Sequence, residues 1–434
     1  MLKFDDFPLS RVPADRKASF LSVAIVHMGM ITALDQFMMG AVLGNSMTLS
    51  AALVAIAAGG LLFGLVTWGL GLAGMREGIS GSLLARWCGF GRNGSVLIGL
   101  VVAVSLLGWF GVQNAIFARS LNAALHGRPG FPLAASASGL FLTFLVAFGF
   151  RALKIAARIA VPLFVSLIAF ISYHTLKDHT ITEILLMPPT GHRLSISAGT
   201  TIVVGGAIVA SLITPDLTRY SRNSRQVFGI TLLTVVSGEV VVNGLAILIS
   251  RVSGTSDIVA IMSQGAGNIG LLIVVFSTLR INDINLYSST LGIANVVEGL
   301  TGIRLRYTPT TIVIGILGTT LSVLGILDMF VDFLTLLGVI FPPVIGVMLM
   351  DYYVLKTHRE TLRESNTRNT LPDFTPDTGW MAIIASLAGC VVGLEYTRGV
   401  PAINSIAVAC IVYIMESWLW KACNKRQRLS RLPD

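Results

Sequence analysis

Apolar runs of roughly 20 residues, the length that spans a bilayer, follow one another along this chain with only short polar links between them. The alternation predicts twelve helical segments: 18–45, 50–75, 94–125, 132–150, 153–175, 196–216, 226–250, 266–299, 308–327, 330–353, 379–397 and 400–420. The longest internal link, 356–378, is short, and no stretch reads as a soluble domain. The expected fold class is an all-α polytopic membrane protein.

The polar interruptions of this pattern carry the functional information. Segment 8 contains Ser277-Thr-Leu-Arg280-Ile-Asn282-Asp283-Ile-Asn285, a cation, a carboxylate and two amides within an apolar helix. A charge at bilayer depth costs about 2.5–3.5 kcal/mol on insertion scales, so it persists only where protein, cavity water or a counter-charge receives it. Segment 8 therefore faces an interior path. Segment 1 reads His27-Met-Gly29-Met-Ile-Thr32-Ala33-Leu-Asp35-Gln36, a sequence able to unwind at midspan and present backbone groups to a ligand. Segment 6 offers a corresponding weak point at Gly205-Gly206, five segments later, as two inverted five-helix repeats would require. Gly-rich helices also acquire such pairs by chance, and close helix packing is the simpler reading of most glycines, Gly69, Gly71 and Gly74 among them.

Composition confirms the class: 54% of residues are hydrophobic, 12% are charged, and mean hydropathy is +0.78. The net charge of +9 follows from topology. Basic residues collect in the amino terminus (Lys3, Arg11, Arg16, Lys17), in alternate links (Arg86, Arg92; Arg151, Lys154, Arg158; Arg219, Arg222, Arg225; Arg304, Arg306; Lys356, Arg359, Arg363, Arg368) and in the tail (Lys421, Lys425, Arg426, Arg428, Arg431). The opposite links hold fewer cations, Arg128, Lys177 and Arg193. Both termini are thus expected on the cytoplasmic side of a cell membrane. The basic tail reads as an orientation signal or anionic-lipid contact, and no nucleic-acid partner is expected. Cys88, Cys390, Cys410 and Cys423 lack ligand spacing, so no disulfide and no metal are expected. Phosphate-loop, nucleophile-elbow and His-Glu-x-x-His motifs are missing, which argues against an enzyme, a cofactor or ATP-driven pumping.

Five motifs occur in order: Ser82-Leu-Leu-Ala-Arg86-Trp-Cys-Gly-Phe-Gly, Gly108-Trp109-Phe110-Gly111, Pro215-Asp216-Leu-Thr-Arg219-Tyr220-Ser-Arg222-Asn223, Asn282-Asp283-x-Asn285-Leu-Tyr287 through Gly292-Ile-Ala-Asn295, and Phe341-Pro342-Pro343 followed by Asp351-Tyr352. Together they resemble the nucleobase-cation symporter family, which includes cytosine permease and the hydantoin and allantoin transporters. The resemblance covers residues 15–420. It implies a leucine-transporter-like fold of five plus five inverted helices and two more: residues 18–175 as the first repeat, 196–353 as the second, 379–420 as helices 11 and 12, flanked by the segment 1–17 and the basic tail 421–434. It also implies a midplane substrate site between segments 1, 3, 6 and 8, worked by alternating access. Trp109 is then the stacking platform for a flat heterocycle, Gln113 lies one turn on with an amide that both donates and accepts, and Asn282 and Asn285 read the substrate's edge. Ser211 and Thr214 are lower-ranked contacts, whose simpler role is back-bonding to their own helix.

Departures from the family pattern are as informative. The two consecutive hydroxyl residues that bind sodium in cytosine permease correspond to Arg280 and Ile281, so a conventional sodium site is not expected, and Arg280 stands as a tethered cation in the ion's place. Its partner is Asp35 or Asp283. Coupling then falls to protons or is absent, with Glu239 on segment 7 the first proton carrier to consider and His27 the second. Pocket aromatics of the family correspond to Ala33 and Ala207, a glutamine corresponds to Leu106, and Gly206 is counted with them, which widens the pocket for a purine, a substituted pyrimidine or a nucleoside. The expected function is a secondary-active permease, and the expected oligomeric state is a monomer. The competing readings are a ligand receptor without transport and a sodium-coupled symporter with a rearranged cation site.

Overall fold

The computed structural model describes residues 7, 10–148, 151–396 and 398–429, with side chains of 151–161 and 423–429 left aside. The orientation signals at Lys3 and Arg431, and the side chains of Arg151, Lys154, Arg158, Cys423, Lys425, Arg426 and Arg428, lie outside this description. All regular structure among the described residues is helical. Seven helices have the length and hydropathy to cross a membrane, and a broken pair at the start makes an eighth span. Four shorter apolar helices fall on the remaining expected segments. In chain order these are α1 (Phe20–Ile31 and Leu34–Ser46), α2 (Leu49–Glu77), α3 (Gly91–Ala124), α4 (Phe131–Ala147), α5 (Arg151–Leu176), α6 (Ile196–Thr218), α7 (Ser224–Ser253), α8 (Ile258–Thr301), α9 (Tyr307–Val323), α10 (Phe330–Leu355), α11 (Trp380–Glu395) and α12 (Pro401–Leu429). The link 356–378 carries its own helix, Arg359–Thr367, and α12 runs on into the expected tail.

Small residues set how closely these helices approach. Gly40 and Gly44 of α1 lie on α7, where an added Cβ would stand 2.7 Å from the Asn243 carbonyl oxygen and 2.4 Å from Ser250 Oγ. Gly59, Gly71 and Gly74 of α2 likewise face Val203, Thr214 and Pro215 of α6. Such contacts give helices in lipid a packing enthalpy that the hydrophobic effect does not supply there.

Two expected weak points behave differently. α1 does break: its first half ends at Ile31, its second begins after Ala33 (φ −144°, ψ 172°), and the halves meet at 47°. α6 does not break at Gly205-Gly206 and is continuous through Thr218. The glycine at 205 exists for proximity: a Cβ there would lie 1.8 Å from the Leu334 carbonyl oxygen of α10, and Gly338 of α10 answers it against Thr201. Gly206 meets Met39, whose Sδ would stand 2.6 Å from its Cβ.

The end of the bundle that carries the amino terminus is stapled by Arg11, which is 3% exposed. Its Nε donates to Thr370 O (2.7 Å), Nη2 to Leu362 O (2.9 Å) and Ser365 Oγ (2.7 Å), and Nη1 to the carbonyl and carboxylate of Glu77. Glu77 also accepts from Tyr352 Oη at 2.7 Å, with Arg359 at 3.9 Å. One residue of the amino-terminal segment thus joins α2 to the link after α10, and through Glu77 to Tyr352 at the end of α10. Arg11→Ala should lower unfolding stability by about 2 kcal/mol and no more, because Glu77 keeps two partners; thermal denaturation of the purified variant checks this.

Candidate functional site

The break in α1 creates two helix ends inside the protein. The first half presents its carbonyl end, favourable to cations, and the second half presents N–H groups, favourable to anions. The side chains obey this polarity. Arg280 of α8 reaches the first half so closely that a Cβ on Gly29 would be 3.1 Å from its Nη2. Asp35 sits in the first turn of the second half, its carboxylate against the N–H groups of Asp35 and Gln36. Asp35 is the partner that acts electrostatically on Arg280. The two are not in direct contact: among the described residues no Arg280–Asp35 ion pair of 4.0 Å or less forms, and Asp35 Oδ1 is buried without a hydrogen-bond partner. A cavity of ≈ 10 Å³, lined by Thr32, Ala33, Leu34, Phe164, Ser277, Arg280 and Ile281, occupies this region. That is room for about one water-sized guest. Asp283 is placed elsewhere, half-buried and within the electrostatic reach of Tyr307.

Glu239 extends the polar region onto α7. It is fully buried and lies in a π-helical stretch, Val235–Val242, a local widening of the helix that recurs at functional sites. Its Oε2 accepts from Asn243 Nδ2 at 2.8 Å, and the same nitrogen donates to Gln36 Oε1 at 3.1 Å. Glu239 Oε1 has no partner, and the charge that acts on it is Asp35. Arg280, Asp35 and Glu239 therefore form a chain of charges across α8, α1 and α7.

A second group of unpaired polar atoms lies on α3 and α8. These helices pack antiparallel through small residues: Ser289 Oγ donates to Ala103 O at 2.8 Å, Gly292 meets Ala103, and Gly299 meets Val96. Asn282 and Asn285 continue the same face of α8, three- and four-residue steps from Ser289. The register carried on brings them to the depth of Trp109 and Gln113. Gln113 and Asn282 are fully buried with both amide atoms unpartnered, and Asn285 Nδ2 is unpartnered too. Such groups cost about 1–3 kcal/mol each when left dry, so these five atoms are open to hydrogen bonds from water or a polar guest. Trp109 is held at this level by near-perpendicular contacts with Phe333 (5.2 Å, 78°) and Phe330 (6.2 Å, 73°) of α10.

Other sequence candidates have different roles. His27 bridges Thr234 Oγ1 (Nδ1, 2.8 Å) and Thr214 Oγ1 (Nε2, 2.9 Å), a satisfied core histidine. Ser211 pairs with Thr67 Oγ1 at 2.7 Å. Ala207 packs with Ile31 and Phe63 and does not line the small cavity, so the space gained by its size is already filled. Leu106 is 8% exposed on α3. Sequence reasoning assigned Arg11 to orientation alone and passed over Gln36 and Asn243. Only their meeting in space, 207 positions apart, distinguishes the latter pair.

Comparison with known proteins supplies the context. A family model described as permease for cytosine/purines, uracil, thiamine, allantoin matches residues 12–419. Cytosine permease of Escherichia coli strain K12 is 27% identical over 416 residues, 96% of this chain and 95% of its own, and the protein from strain O157:H7 is equally similar. Among solved structures, the inward-facing conformation of Mhp1 matches with a TM-score of 0.74 at 17% identity over 95% of both chains. Mhp1 closed with bromovinylhydantoin bound matches at 0.71 and 19% over 97% of both. The fold is thus the leucine-transporter-like arrangement of five plus five inverted helices with two more, and the chain is a transporter, not an enzyme. From residue 12 to residue 419 it belongs to the family of permeases for cytosine and purines, uracil, thiamine and allantoin.

Proposed function

We propose that this chain is a secondary-active permease for a nucleobase-like heterocycle, bound between α3 and α8 with Trp109 against its ring and the amides of Gln113, Asn282 and Asn285 at its edge. The observation that supports this is the set of unpartnered buried amide atoms on α3 and α8. An amide side chain donates and accepts side by side, the complement of the adjacent N–H and C=O of a lactam or ureide. Cytosine for the curated relatives and a hydantoin in the closed Mhp1 structure are both of that chemistry. Leu106 and Ala33, where relatives are bulkier or more polar, favour a purine, a substituted pyrimidine or a nucleoside over cytosine. The excess of cations in alternate links supports cytoplasmic termini.

Coupling is sodium-independent in this proposal, with Arg280 as the fixed cation. The one guanidinium, Arg280, acts on Asp35, and Asp35 acts in turn on the buried Glu239, each carboxylate with a buried, unpartnered oxygen. With all three ionised the region holds an unbalanced negative charge, which a buried site tolerates poorly. One proton, seated on Glu239, restores neutrality and couples transport to the proton gradient. Glu239→Gln should leave substrate exchange intact and abolish the gain in uptake, about tenfold, that an inward proton gradient of one pH unit can drive. Proteoliposome uptake with and without the gradient measures it, and gradient-driven accumulation by the variant would refute the assignment. A panel of labelled purines, pyrimidines, nucleosides and hydantoins, with and without sodium, tests the substrate class separately.

A further inference from the structure

Away from the transport path lies a hollow of about 90 Å³ between α3, α10 and α11, closed on the inside by Leu212 of α6. Phe90, just before α3, is followed by Gly94, Ile98 and Val101 of α3 on one wall, and Phe341 and Val344 form another beside the Pro342-Pro343 step of α10. The only polar side chains on the wall are spent internally: Ser386 Oγ donates to Ala382 O at 2.7 Å, and Cys390 Sγ faces Ile340 O at 3.7 Å. Nothing is left to bind a polar guest, and a hollow of this kind stays dry and takes hydrocarbon. Its rim faces outward, with Leu97 44% exposed and Leu387 59% exposed on the apolar faces of spanning helices. The surrounding medium at that depth is lipid, so the guest is a lipid chain.

One end of the hollow is marked by charge. The start of α3 is fastened to the residues before α11 by Gly379 N–H to Phe90 O (2.8 Å), Arg92 N–H to Pro376 O (2.7 Å) and Asn93 N–H to Asp377 O (2.8 Å). Arg92 is exposed at this junction, and Arg86 lies within its electrostatic reach with a buried Nε that has no acceptor. Neither arginine forms an ion pair among the described residues. Trp380, 67% exposed and one turn from Ile383 in the hollow, stands at the same level, where an indole ring anchors at a membrane interface. We propose that this junction and hollow form a binding site for an anionic phospholipid, its headgroup at Arg86 and Arg92 and one acyl chain between α3, α10 and α11. The site joins helices of both repeats, so a bound chain would fill the seam between them.

The test uses the full chain in nanodiscs containing a trace of phosphatidylglycerol or phosphatidylcholine with a photoreactive diazirine in the acyl chain, followed by mapping of the labelled peptides. Phosphatidylglycerol is expected to label peptides spanning 94–101 and 383–390 severalfold more than phosphatidylcholine does. Arg92→Gln, at an exposed position, should erase that difference. Val101→Phe should fill the hollow and lower labelling of both peptides severalfold. Equal labelling by the two lipids, or labelling spread evenly over all exposed helix faces, would overturn the site. So would undiminished labelling in Val101→Phe. If that variant fails to fold, the comparison of Arg92→Gln with the unaltered protein decides alone.

Discussion

Arg280→Thr is expected to lose sodium-independent uptake almost entirely and to unfold several degrees earlier than the unaltered protein. The reason lies in the buried region it leaves behind. Asp35 is half-buried with its Oδ1 fully enclosed and unpartnered, and the cation that acts on it is Arg280. Removal of the cation leaves the enclosed carboxylate oxygen without its counter-charge, at a cost of about 1–3 kcal/mol. A companion variant separates the two consequences. Asp35→Asn in the Arg280→Thr background removes the stranded charge and should return most of the thermal stability, an interaction energy of opposite sign to either single loss. Transport should stay low, since the contact between the α1 break and α8 is still missing. Thermal midpoints and initial uptake rates with and without sodium distinguish these outcomes. Uptake by Arg280→Thr that remains both rapid and indifferent to sodium would remove the guanidinium from the coupling scheme.

Asn282→Ala should behave in the opposite manner: substrate affinity falls by 10- to 100-fold, from about 1–3 kcal/mol of lost hydrogen bonding, while the empty protein keeps or slightly gains stability. An amide that holds the fold together cannot be removed so cheaply. One with neither atom paired in the empty protein can, because its truncation relieves a desolvation cost. Gln113→Ala should follow the same pattern, whereas truncation of Asn243, which joins Gln36 to Glu239, should destabilise the protein with or without substrate. Binding isotherms and thermal midpoints measured on the same samples give both numbers. A large stability loss in Asn282→Ala would make it a structural residue and weaken the proposed substrate site.

The twelve segments were legible because hydropathy over 20-residue stretches is a strong signal. The break in α1 was legible for a related reason: Gly29, Thr32 and Asp35 interrupt an apolar helix at the depth where only an interior surface tolerates them. Gly205-Gly206 looked equivalent and is not, since glycine serves unwinding and close approach alike, and the backbone of another helix decides which. The amides of α3 and α8 could be picked out by type, but their lack of partners is a property of three-dimensional neighbours. Arg11 shows the reverse. Its charge suited an orientation rule, while three of its hydrogen bonds, to Thr370, Leu362 and Ser365, depend on a link more than 350 positions away.

The contact of Gly205 with the α10 backbone bears on how variation in such transporters is to be interpreted. At this crossing two helices touch through main-chain atoms, so the position records a distance rather than a chemistry. Substitution there would be rejected whatever the cargo, and a glycine retained across carriers of unrelated solutes would carry no information about any of them. A change of diet would be written instead in the side chains of the proposed substrate site around Trp109 and Asn282.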